Sequence, residues 1–81
     1  MRVNRALTFQ NLVILMNSIN TSNRQMAKEC FISYSTFSMK MAGHHDWKLA
    51  EMLTIQNYIN KKTGKNYTLD YLFTKEKWKK W

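Results

Sequence analysis

Phe9, Leu12, Val13, Met16 and Ile19 recur at i, i+3, i+4, i+7 and i+10, which is one face of a helix. The spacing predicts a first helix from Phe9 to about Ser18, with Thr8 as its cap. The polar run Asn20-Thr21-Ser22 breaks that face. Ser22-Asn23-Arg24-Gln25 then reads as a capping box, opening a short second helix to about Cys30 with Met26, Ala27 and Cys30 inward. Ser33 is the next N-cap, flanked by Ile32 and Phe37 at the positions of a hydrophobic staple. A third helix follows from Tyr34 to about Ala42, with Phe37 and Met41 as its inward pair and Gly43 as its stop. After the loop His44-His45-Asp46, a fourth helix runs from about Lys48 to Lys61, with Leu49, Met52, Leu53 and Ile59 on one side and Gly64 beyond it. Thr68 caps a last short helix, Leu69 to Phe73. The expected core is Phe9, Leu12, Val13, Met16, Met26, Ala27, Ile32, Phe37, Met41, Leu49, Leu53, Ile59, Leu69, Leu72 and Phe73.

β-branched residues never form a long alternating run, so a sheet has little support. The absence of proline and the presence of only two glycines favour helices joined by short polar turns. The expected architecture is therefore all-α: a compact five-helix domain over residues 1–73, followed by a basic, aromatic tail over residues 74–81. That tail holds four lysines and two tryptophans. A frayed terminus, a DNA-backbone arm, a dimer contact and a membrane-surface patch are all open readings of it.

The chain has 81 residues, which is the size of one domain. Its single cysteine excludes a disulfide framework and a Cys-only zinc site, and it points to a reducing compartment. The longest apolar run, Leu12 to Met16, is five residues. It suits neither a membrane span nor a signal peptide, so no membrane insertion is expected. Thirteen basic against five acidic residues give a net charge of +8, which points to a polyanionic partner, nucleic acid first. Most of this excess lies late: residues 61–81 contribute a net +5.

Ser22 to Gly43 places two short capped helices around a tight turn. A helix-turn-helix needs a small residue where its helices cross closely, which Ala27 supplies. It needs a branched apolar residue closing the turn, which Ile32 supplies. Its second helix must bury one face and leave its N-terminal outer face free. Here the sequence resembles the lambda-repressor and Cro-like helix-turn-helix family, especially small phage-encoded members. The matching residues are Met26-Ala27, Ile32-Ser33, Ser35-Thr36-Phe37-Ser38 and Lys40-Met41-Ala42-Gly43. Trp47 with Glu51, and Leu69-Asp70-Tyr71-Leu72-Phe73, extend the match across residues 9–73.

The resemblance implies a lambda-repressor-like domain that binds double-stranded DNA sequence-specifically, commonly as a homodimer. It would regulate transcription in the cytoplasm of a bacterial host. Carried over by position, Tyr34, Ser35, Ser38 and Met39 meet base edges. Asn23, Arg24, Lys40, His44, His45 and Lys48 meet the DNA backbone. Two positions depart from the family. Phe31 stands in the turn where glycine is usual, which costs about 1–2 kcal/mol if the left-handed conformation is kept. Either the turn takes another shape or the ring recovers that cost by packing. Met39 stands where arginine or glutamine is common, which leaves fewer anchors for base reading.

Adjacent histidines point apart and no second ligand pair is spaced for zinc, so no metal or other cofactor is expected. Cys30 reads as a core thiol without a catalytic partner. No phosphate loop and no paired acids are apparent, so an enzyme is not expected. Two rival functions use the same fold. One is a protein-interaction module that inhibits a host or phage regulator, anchored by Tyr34, Met39, Trp78 and Trp81. The other is an architectural DNA-binding accessory protein.

Overall fold

Four of the five helices begin or end as their local chemistry dictates. In a computed structural model, described for residues 9–74, the order is α1 Gln10–Ser18, α2 Asn23–Glu29, α3 Tyr34–Met41, α4 Leu49–Thr63 and α5 Leu69–Leu72. No strand occurs among the described residues. The Ser22 hydroxyl accepts from the Gln25 N–H, Ser33 from Thr36 and Thr68 from Tyr71, each at 3.1 Å. These three hydroxyl caps follow the pattern read from the sequence, although at Ser22 only the hydroxyl half of the expected capping box is formed. Thr8 lies outside the described residues; Phe9 occupies the N-cap of α1 and makes no side-chain cap bond. The tail from residue 75, with Trp78 and Trp81, also lies outside them.

The helix ends share one device. Asn20 (φ 55°), Phe31 (φ 60°), Gly43 (φ 86°) and Gly64 (φ 72°) are all left-handed, and each terminates one of the first four helices. After α2, Phe31 donates to Lys28 O and Ile32 to Ala27 O, both at 3.1 Å, which is a Schellman closure. The same pair of bonds closes α3 through Gly43 and His44, and α1 through Asn20 and Thr21. With only two glycines in the chain, two of the four stops fall to other residues. Asparagine tolerates this conformation; phenylalanine does not.

Phe31 corrects both alternatives raised from sequence. The turn keeps its left-handed shape, and the ring is 94% exposed, so packing recovers nothing. Phe31→Gly is therefore expected to stabilise the chain. It removes about 1–2 kcal/mol of strain, of which glycine's greater freedom in the unfolded chain takes back about 0.5–1 kcal/mol. Thermal melting followed by circular dichroism should show a rise of about 3–6 °C; a lower midpoint contradicts the account.

The core is built from Phe9, Leu12, Leu15, Met16, Met26, Ala27, Cys30, Phe37, Met41, Ile55, Ile59 and Leu72. Val13, Ile32 and Phe73 pack at its margin rather than inside it, and Leu69 is only half-buried. Helix α2 packs on α3 and α4, and α5 packs on α1 and α4. Trp47 joins an edge-to-face aromatic cluster, with ring centroids 5.3 Å from Phe73, 5.5 Å from Phe37 and 6.1 Å from Phe9. That cluster pins the loop between α3 and α4.

The expectation for α4 is corrected. Leu49 and Leu53 are 63% and 42% exposed, and the inward row is Glu51, Ile55 and Ile59. Two residues along a helix is about 200°, so a row starting at Glu51 lies nearly opposite one starting at Leu49. A carboxylate at the head of the buried row hid it from a reading based on hydrophobicity.

Cys30 is buried, as a core thiol should be. Burial pushes its pKa up to about 11; Glu51 and Glu29 add to the rise and Lys40 offsets part of it. The nucleophilic thiolate is therefore scarce at neutral pH. Alkylation at pH 8 is expected to be slow in the native chain and fast in denaturant. Equal rates in the two conditions would contradict this placement.

Candidate nucleic-acid interface

The turn between α2 and α3 brings the first turns of both helices to one surface. Arg24, the second residue of α2, places its guanidinium carbon 4.6 Å from the ring centroid of Tyr34, the first residue of α3. The stacked pair therefore ties the two helix starts together. Tyr34 is 45% exposed, and Asn23 and Arg24 are exposed beside it. Ser35 and Met39, four apart, share the outer row of α3 and are exposed, while Ser38 is half-buried. The Ser33 hydroxyl lies 2.9 Å from that of Thr36 and 3.5 Å from that of Ser35, which holds the start of α3 in a small hydroxyl network. His44, His45 and Lys48 are exposed on the loop beyond α3.

Lys40 is the member of the predicted set that the geometry removes. It is 5% exposed, and its ammonium donates to Glu51 Oε1 at 2.5 Å. The ammonium also lies 5.9 Å from the Trp47 ring centroid. It cannot reach a DNA backbone without breaking a buried ion pair. The signal was present in the sequence: Phe37, Lys40 and Met41 stand at i, i+3 and i+4, so Lys40 belongs to the inward row. Its real role is structural. The same Glu51 oxygen accepts from the Lys48 N–H at 3.0 Å, so one carboxylate joins α3 to the start of α4.

Burial pushes the Glu51 carboxyl upward. The hydrogen bond from Lys40, that from the Lys48 backbone and the charges of both lysines outweigh it, and the group sits below the ordinary carboxylate value. It is therefore ionised at neutral pH, and the pair stays charged.

Sequence reasoning passed over Lys28. It is exposed, and it stands four residues after Arg24 on the same side of α2. With Arg24, Gln25, Ala27, Ile32 and Tyr34 it lines an open cleft of about 450 Å³ between α2 and α3. The unpaired cations of this surface are thus Arg24, Lys28 and Lys48, since Lys40–Glu51 is the only ion pair among the described residues. No group of three or more potential metal ligands occurs among those residues, and no helix there is long and apolar enough to cross a membrane. Comparison with protein-family models, with curated proteins and with solved structures returns no match.

Proposed function

We propose that the chain is a sequence-specific double-stranded-DNA-binding regulator of the lambda-repressor and Cro-like kind, which acts through the α2–α3 surface, commonly as a homodimer. The observation that carries the reading is the joined pair of helix starts. Two capped helices meet at a tight turn, with Arg24 exposed at the start of the first and Tyr34 and Ser35 exposed at the start of the second. A helical edge of this kind fits a major groove about 12 Å wide. Arg24, Lys28 and Lys48 supply backbone contacts around it, and Ser35, Ser38 and Met39 face the bases.

The reading predicts a steep salt dependence. Three cations neutralising three phosphates give a log–log slope of about −3 for one copy and about twice that for two. Fluorescence anisotropy with a duplex across a salt series measures it. A slope shallower than about −1 would sink the proposal.

A second reading keeps the fold and changes the partner. Phe31 is strained and 94% exposed, and it gains nothing within the chain. This favours a protein-interaction module in which Phe31, Tyr34 and Met39 anchor a partner protein. A stoichiometric protein complex, with no duplex shift at moderate salt, would select it over DNA binding.

A further inference from the structure

We infer that Arg24 reads a guanine rather than only holding phosphate, and that Tyr34 is the residue that positions it. This rests on the double-stranded-DNA reading above and sharpens it. The Arg24 guanidinium makes no ion pair or hydrogen bond among the described residues; it lies over the Tyr34 ring, its carbon 4.6 Å from the centroid. The five guanidinium donors are therefore all open, while the ring beneath holds the group at the surface.

The pair also has a particular place on the surface. Two open clefts of about 450 Å³ each lie against it. One is bounded by Val13, Met16 and Thr21, the other by Ala27, Lys28 and Ile32. Ser22, Arg24 and Tyr34 line both, so the pair stands with the Ser22 cap on the ridge between the clefts. A ridge is the part of a surface that enters a groove.

The chemistry selects the base. A phosphate contact needs only charge, and a flexible lysine supplies it as well. An arginine stacked on an aromatic ring has its fork oriented before binding, and loses less freedom when it makes two parallel hydrogen bonds. In the major groove, guanine presents the adjacent O6 and N7 acceptors that match this fork. The other residues facing the bases do not choose in this way. Ser35 and Ser38 donate to or accept from several bases, and Met39 offers apolar contact alone. Base preference on this surface therefore centres on Arg24.

The test uses the full chain and a duplex enriched from a random library. Wild-type protein should discriminate the guanine from adenine at one position by about 10- to 100-fold. Arg24→Lys keeps the charge and loses the fork. It should reduce that discrimination to under about 3-fold while leaving the salt slope unchanged. Tyr34→Leu should do the same with unaltered helicity, and Tyr34→Phe, which keeps the ring, should retain the discrimination. If Arg24→Lys keeps its guanine preference, or Arg24→Ala weakens every duplex equally, Arg24 only holds phosphate and the inference fails. In that event the DNA-binding reading survives. If no duplex is enriched at all, that reading fails first.

Discussion

Glu51→Leu is expected to lower folding stability by about 3–5 kcal/mol. Its carboxylate is buried and holds the Lys40 ammonium at 2.5 Å and the Lys48 N–H at 3.0 Å. Removing it strands a positive charge that is 5% exposed. The cost is mainly that of the abandoned ammonium rather than the worth of the pair. The double variant Lys40→Met with Glu51→Leu should therefore recover most of the loss, since apolar groups of similar volume replace a buried pair at little cost. Urea denaturation of the three chains gives the comparison. A single-variant loss below about 1 kcal/mol would show that Lys40 escapes to solvent instead.

The same pair sets an acid limit. Glu51 is held below its ordinary value in the folded chain, whereas in the unfolded chain it titrates near about 4.3. Its contribution is fully present above that unfolded value and is lost as pH falls through the lower folded one. The double variant should lack this component of acid unfolding.

Phe37→Ala is expected to cost about 3–5 kcal/mol. Phe37 has no exposed surface and meets Trp47 edge-to-face at 5.5 Å. It is the inward anchor of α3, so the cavity falls under the surface proposed to meet DNA. Total stability for a domain of this size is about 5–15 kcal/mol, so the loss takes a large share of it. Where the variant still folds, the outer row of α3 is no longer fixed. Discrimination between duplexes should then fall further than binding to random duplex does. Measurement of both affinities at one salt concentration checks this. An unchanged ratio would mean that α3 does not carry base selection.

The caps were legible because their chemistry is local. Ser22, Ser33 and Thr68 each bond a backbone N–H three residues on, and short-range pattern is enough to find that. The helix stops at Gly43 and Gly64 were legible for the same reason. What escaped depended on contacts distant in sequence. Lys40 read as a DNA-backbone cation and Glu51 only as the acid that follows Trp47 in the family pattern, and they became a buried pair only when α3 met α4. Leu49 and Leu53 read as core because leucine is apolar. The row that packs was fixed instead by Glu51 finding Lys40, eleven residues away. Phe31 shows the converse. The family resemblance marked the position as one where glycine is usual, and only the folded chain showed the ring left in solvent. In the candidate site, Arg24 and Tyr34 were both singled out from sequence. Their stacking, ten residues apart across a turn, was not.

The central claim is that the α2–α3 surface binds double-stranded DNA and chooses among sequences. Selection of bound duplexes from a random pool by the full chain tests it most directly. The account predicts progressive enrichment of one motif containing a guanine, with enrichment abolished by Ser35→Ala, Ser38→Ala and Arg24→Ala combined. A final pool indistinguishable from the starting library, or the same motif enriched by the triple variant, would contradict it.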